Sequence, residues 1–187
     1  VYFYIKFVLF TSKIKISYKD FNFEELLKEI GAQLNILCGE KALEVHFSLT
    51  KEVPLTLHGD AKKIKQIIIN IAGNAIKFTH SGEVVIAFST SQKSTDEIWL
   101  NIAISDTGIG INPNKLTKIF ELFNQVDNSN TRQYGGLGIG LTIANQLVQL
   151  MEGSINVISQ LHEGSTFSCT LRLQKAQSAT PSVLHNP

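Results

Sequence analysis

Hydrophobic residues recur with a helical period from Asp60 to Thr79, D-A-K-K-I-K-Q-I-I-I-N-I-A-G-N-A-I-K-F-T. Ile64, Ile67, Ile68, Ile71, Ala72, Ala75 and Ile76 fall on one continuous apolar face of a helix. Asp60 stands where an N-cap belongs, and its carboxylate suits the positive end of the helix. Asn70, Asn74 and Lys77 form a second, polar stripe along one side. Asparagine is a mediocre helix former. The stripe is therefore either a pair of amides satisfied by backbone or solvent, or a set of groups that hold a cation or a phosphate. Upstream, Asn22 followed by Glu25 predicts a capped helix with Leu26, Leu27, Ile30, Leu34 and Leu37 on one face and Gly39 at its end. Leu43, Val45, Phe47 and Leu49 then alternate as in a half-buried strand, which Pro54 breaks, and His58-Gly59-Asp60 leads into the central helix.

Downstream, Ser81-Gly82 turns the chain into an alternating run, Val84, Ile86 and Phe88. A turn at Ser94-Thr95-Asp96 leads into a second run, Ile98, Leu100, Ile102 and Ile104, and the two predict an antiparallel hairpin. Its second strand runs into Asp106-Thr107-Gly108-Ile109-Gly110-Ile111. That sequence reads as a tight turn or as a place where backbone approaches a ligand, with a carboxylate at the strand's end. Asn112 and Pro113 open a short helix expected to carry Ile119, Phe120, Leu122 and Phe123. Residues 124–136 are polar, rich in Asn and Gly and without period, as in a lid or binding loop. They end in Gly135-Gly136-Leu137-Gly138-Ile139-Gly140-Leu141, ahead of a helix bearing Ile143, Leu147, Leu150 and Met151. Glycines before a helix N-terminus leave N–H donors open to an anion, yet neither a Walker loop nor a Rossmann turn fits the spacing. Gly153 is expected to end that helix. Ile155 and Val157, then Phe167, Cys169, Leu171 and Leu173, predict two more strands around Glu163-Gly164.

Composition narrows the classes. With 187 residues and 43% hydrophobic content, the chain has enough to bury one sizeable core. A net charge of +1 supplies no basic field, so nucleic acid is not the expected partner. Cys38 and Cys169 lack metal-ligand spacing and read as buried free thiols in a reducing, cytoplasmic compartment. The opening V-Y-F-Y-I-K-F-V-L-F is too short to span a bilayer and no membrane contact is expected of this stretch; it reads as a helix tail or as a stretch bared by truncation, and the first is favoured.

In order, N-I-A-G-N-A-I-K-F, D-T-G-I-G-I, F-E-L-F, a polar lid, G-G-L-G-I-G-L and G-S-T-F resemble the catalytic, ATP-binding domain of sensor histidine kinases. Those kinases share the GHKL superfamily with DNA gyrase, MutL and the large ATP-dependent chaperones. The resemblance implies a Bergerat-type α/β (α+β) fold, a two-layer sandwich in which a mixed, mostly antiparallel sheet of about five strands packs on about three helices beneath a mobile ATP lid. It further implies that Asn74 gives its side-chain oxygen to Mg²⁺, that Asn70 supports the metal shell and phosphates, and that Lys77 reaches a phosphate. Asp106 would accept the adenine amine, with Thr166 assisting through water, and Gly108 and Gly110 would let backbone approach the base. Ile111, Phe120, Leu122 and Phe123 would line or brace the pocket. Arg132 and the backbone at Gly136, Leu137, Gly138, Ile139, Gly140 and Leu141 would close over the triphosphate. Position 70, a glutamate that activates water in the hydrolysing members, is asparagine here, which implies transfer to histidine rather than hydrolysis. A GHKL-type ATPase, or a nucleotide-binding scaffold without transfer activity, are the alternatives.

No histidine fits the family's phosphoacceptor motif: His46 lies in a strand pattern, His58 and His80 in turns, His162 beside Glu163 and His185 near the end. Residues 7–15, F-V-L-F-T-S-K-I-K, resemble the end of the second dimerisation helix. The expected organisation is thus 1–19 as tail of the dimerisation and phosphoacceptor helix with its linker, 20–174 as catalytic domain, and 175–187 as a disordered tail or linker. Implied partners are ATP, the dimerisation and phosphoacceptor domain of the same kinase, and a response regulator or receiver domain. The full-length protein would be a cytoplasmic or membrane-anchored kinase. Leu137 stands where Thr or Ser is common, which removes one hydroxyl from the phosphate site.

Overall fold

The computed structural model describes residues 14–92, 97–120 and 139–176. Its elements follow as β1 (Lys19–Asn22), α1 (Phe23–Cys38), β2 (Leu43–Leu49), β3 (Thr56–Gly59), α2 (Ala61–Phe78), β4 (Gly82–Gln92), β5 (Glu97–Asp106), α3 (Pro113–Leu116), α4 (Gly140–Leu150), β6 (Ser154–Gln160) and β7 (Gly164–Lys175). The helix starts are set by short polar side chains. Asn22 Oδ1 accepts from Glu25 N at 3.1 Å, and Asp60 Oδ1 accepts from Lys63 N at 3.1 Å. The second Asp60 oxygen accepts from Ser17 N at 2.9 Å, so the segment before β1 is tied to the first turn of α2. Gly39, at φ 56°, ends α1 in a conformation that glycine adopts without strain.

All seven apolar residues of the central stripe are buried on α2, which packs against both α1 and α4. Beneath them lies one mixed sheet of seven strands in the order β1-β3-β7-β5-β4-β2, with β6 added to β7. β2 runs parallel to β4, while β4–β5, β5–β7, β6–β7, β3–β7 and β1–β3 are antiparallel. Alternate residues of β4, β5 and β7, among them Val84, Ile86, Leu100, Ile102, Leu171 and Leu173, are buried on the helical side. The result is the two-layer α/β sandwich expected, with seven strands where about five were read.

The two extra strands are β1 and β3. Each has four residues and sends few apolar side chains inward, Leu57 being fully buried and Phe21 partly so. Their pairing is tertiary: Phe21 lies opposite Leu57, and His58 opposite Gln174. His58 is accordingly a strand residue rather than a turn residue, and its Nδ1 lies 2.6 Å from Asp20 Oδ1. The helix after Pro113 stops at Leu116. Ile119 is still buried and Phe120 meets Phe167 edge-on at 6.4 Å, whereas Leu122 and Phe123 lie outside the described residues.

On α4 the inward residues are Thr142, Ala144, Leu147 and Val148, with Met151 just beyond, while Leu150 is 42% exposed. Gly153 does not end α4. Glu152 takes the left-handed turn at φ 54°, and Gly153 is required because a Cβ there would collide with Thr170 O. Cys169 is buried and its thiol is pushed up to about 12, whereas Cys38 is only half-buried; both are free.

Candidate functional site

Two clusters of candidate residues are built on α2. At the first, Asn70 faces the start of α4: a Cβ on Gly140 would lie 3.5 Å from Asn70 Oδ1, so the helix begins against the amide with only hydrogen on its first Cα. Ile139 gives α4 no side-chain cap, leaving the first-turn N–H groups without acceptors in their own helix. Asn70 Nδ2 and Thr142 Oγ1 are buried and have no hydrogen-bond partner among the described residues. A buried amide left without a partner costs about 1–3 kcal/mol. These orphaned groups beside an uncapped helix start fit a site that receives phosphates. Asn74 and Lys77 follow on the same edge, both half-buried; Lys77 Nζ sits 4.9 Å over the Phe78 ring, and burial pushes its pKa down.

The second cluster lies where α2 stops and β5 stops. Asp106 Oδ1 accepts from Gly108 N at 2.9 Å. Burial pushes the carboxyl up from its ordinary range, and the backbone donors of Gly108 and Ser165 pull the other way. A half-buried carboxylate with spare lone pairs is suited to an N–H donor from a ligand. Gly108 is pressed on the end of α2: a Cβ would lie 2.6 Å from Phe78 O and 2.8 Å from Thr79 Oγ1. Gly110 is at φ 67° against Gln160 O, and Ile111 N donates to Ser159 Oγ at 2.8 Å. Ile111 is half-buried and packs on the core. From Asn70 to Thr79 the helix advances roughly 13 Å, which separates the two clusters.

One expected member does not join. Thr166 pairs with Ser105 across the strands, and their hydroxyls lie 2.9 Å apart. Both sit one position from inward-facing Ile104 and Phe167, hence on the opposite face from Asp106. Ser165, opposite Asp106 in the register and buried, is the hydroxyl on the cleft side, with its Oγ 3.0 Å from Ser159 Oγ. Counting alternation backward from Phe167 would have found it. Thr79 was also missed: it is fully buried, and its hydroxyl donates to Ala75 O at 2.8 Å. Ile139, Gly140 and Leu141 lie at the start of α4, with Gly140 facing Asn70, while Phe123, Arg132, Gly136, Leu137 and Gly138 lie outside the described residues.

A two-layer sandwich with a carboxylate beside the end of α2 and a mid-helix amide facing the glycine-led start of α4 suits a nucleotide ligand. The family model for histidine kinase-, DNA gyrase B- and HSP90-like ATPases matches residues 59–175, and the chain belongs to that family. ATP binding goes with membership of that family.

It is 40% identical over 178 residues to the autoinducer 2 sensor kinase/phosphatase LuxQ of Vibrio vulnificus (strain YJ016), covering 94% of this chain and 20% of LuxQ. It is 39% identical over 157 residues to the sensor histidine kinase GacS of Pseudomonas protegens, covering 84% of this chain and 17% of GacS. The chain thus spans a fifth or less of these relatives' length. Among solved structures, full-length ShkA in complex with AMPPNP superposes with a TM-score of 0.71 at 28% identity, over 88% of this chain and 33% of ShkA. The mycobacterial sensor histidine kinase MprB shares the fold, with a TM-score of 0.66 at 20% identity over 86% of this chain and all of that one. Among the described residues no helix is long and apolar enough to cross a membrane.

Proposed function

We propose that this chain is the Mg-ATP-binding catalytic domain of a two-component sensor histidine kinase and passes the γ-phosphoryl group of ATP to a histidine on a dimerisation domain. The observation that carries the reading is the facing of Asn70 and Gly140, an unpaired buried amide set against the start of an uncapped helix. Asp106 would accept a hydrogen bond from the adenine amine, with Ser165 as the neighbouring hydroxyl. Asn74 would give a hard, neutral amide oxygen to Mg²⁺, Asn70 would support that shell, and Lys77 would reach a phosphate oxygen. Mg²⁺, when bound, offsets the charge of the phosphate oxygens. The residues of 124–138, Arg132 among them, would cover the triphosphate.

The carboxamide at position 70 cannot take a proton from water, so no general base stands there and the γ-phosphoryl is kept for the acceptor. In the transfer, a neutral imidazole nitrogen forms the N–P bond as the bond from phosphorus to its bridging oxygen breaks, and ADP leaves. The enzyme's contribution is positioning and charge. The partners under this reading are the kinase's own dimerisation and phosphoacceptor domain and a response regulator or receiver domain. The compartment is the cytoplasm, in keeping with two free thiols.

Calorimetric titration with a non-hydrolysable ATP analogue, with Mg²⁺ and with EDTA, tests binding. Mixing with a separately made phosphoacceptor domain and γ-labelled ATP tests transfer. Mg²⁺-dependent saturation and label on the acceptor are expected; no binding at millimolar nucleotide refutes the reading.

A further inference from the structure

Helix α2 ends with carbonyls that have no partner within the helix. Ala75 O is taken by Thr79 N at 3.0 Å and by the Thr79 hydroxyl, and Phe78 O by Ile109 N at 3.3 Å. The others are taken by one distant side chain. Lys41 Nζ donates to Ile76 O at 2.6 Å, to Lys77 O at 3.2 Å and to Thr79 O at 3.2 Å. All three protons of the ammonium are thus used on the last turn of α2 and the residue after it. The cation also sits at the negative end of the helix dipole.

Lys41 itself is held. Its N–H donates to Cys38 O at 3.1 Å, its carbonyl accepts from Leu43 N at 2.8 Å, and Ala42 O accepts from Gly82 N at 3.2 Å. The ammonium is therefore presented from a loop bound at α1, at β2 and at the start of β4. The opposite side of the α2 terminus is the base end of the cleft, where Phe78 O and Thr79 Oγ1 press on Gly108 with no side chain between them. Gly108 N in turn donates to Asp106 Oδ1. A shift of the Phe78–Thr79 peptide has nothing compliant to absorb it before it reaches the carboxylate.

We propose that Lys41, from outside the cleft, is a positioning residue for adenine recognition: it fixes the α2 terminus that holds the Asp106–Gly110 loop in register with the base. The inference rests on the ATP reading given above and adds to it a selectivity determinant that touches neither nucleotide nor metal.

The test compares dissociation constants for ATP and for inosine triphosphate, which carries an oxygen where adenine carries its amine. Both are measured by calorimetry on the 187-residue chain and on Lys41→Met, Lys41→Gln and Lys41→Arg. Asn22→Ala is the control, since it removes a helix cap far from the base. The preference for ATP should fall about tenfold in Lys41→Met and Lys41→Gln, the equivalent of one well-placed hydrogen bond. It should recover in part in Lys41→Arg, whose guanidinium also donates to several carbonyls. Asn22→Ala should lower the melting temperature and leave the preference alone. If Lys41→Met does not fold, Lys41→Gln carries the same reading. An unchanged preference in the folded Lys41 variants makes the residue a helix cap only and overturns the inference while the ATP reading stands. A wild-type chain that binds neither nucleotide overturns both.

Discussion

Replacing Asp106 by Asn removes one of the two oxygens on which the base end depends. In the structure Oδ1 already accepts from Gly108 N at 2.9 Å, and Ser165 N is a second backbone donor to the carboxylate. An asparagine has a single acceptor oxygen. Whichever way its amide turns, an NH₂ group faces either a backbone N–H or the adenine amine, and one donor is left without an acceptor. Losing a hydrogen bond to a charged acceptor costs about 1.5–3 kcal/mol, and a buried donor left unpaired costs a similar amount. A net loss of about 2–3 kcal/mol corresponds to ATP binding weakened about 30- to 150-fold. The protein itself should stay folded, because the neutral amide escapes the desolvation that pushes the Asp106 carboxyl up. The assay is calorimetric titration of wild type and Asp106→Asn with ATP and with inosine triphosphate, alongside a thermal melt. ATP should lose far more affinity than inosine triphosphate. An unchanged ATP affinity in a folded variant would refute the placement of the base at Asp106.

Three further expectations follow from the same geometry. Ser165→Ala should weaken ATP binding several-fold while Thr166→Ala leaves it unaltered, because only Ser165 lies on the cleft side; the reverse order in a titration would reject the strand parity argued here. Ile68→Ala empties a fully buried position on α2 and should cost about 2–5 kcal/mol in urea unfolding, and a loss well below that would mean the core closes over the gap. The pH dependence of Asp106 has a definite sign. Its folded pKa is raised above 3.8, so its contribution to stability is fully present below that value and is lost as pH rises through the raised one. Wild type should therefore gain on Asp106→Asn as pH falls through that window, while ATP binding, if the base is placed at Asp106 as proposed, should weaken; a pH-independent difference in urea midpoints would count against this.

Legibility in the sequence followed the strength of the local signal. The α2 stripe read correctly at every position because seven inward residues keep one period and Asp60 marks the start. The β4–β5 hairpin was equally plain, since nine strictly alternating residues in β5 leave little choice of face. β1 and β3 were not legible. With four residues each they carry no period of their own, and what makes them strands is the partner, Leu57 reaching a core built by residues far along the chain. On α4 the stripe holds at Leu147 and Met151 and in part at Ile143, but Leu150 faces out and the inward face is completed by the smaller Thr142 and Ala144, which carry little hydrophobic signal. Around the end of β5, Asp106, Gly108 and Gly110 stand out by their motif, whereas the string G-S-T-F does not separate Ser165 from Thr166; only the two faces of the strand do. Nothing local could point to Lys41, whose three acceptors lie 35 to 38 residues away.

The base end is walled largely by main chain meeting main chain. Gly110 lies against Gln160 O, and Gly164 against Asp106 O, each so closely that no Cβ fits. Where two side chains meet, a loss on one can be made good by a change on the other, and lineages drift through such exchanges. A carbonyl oxygen is the same in every residue, so neither partner here has an alternative to offer. A selection for suppressors of Gly110→Ala should accordingly return reversion at position 110 and no second-site change at position 160. If this region reads the base, as proposed, it is the part least able to be retuned in small steps, and new nucleotide preferences would have to arise from Asp106, Ser165 and the side chains around them.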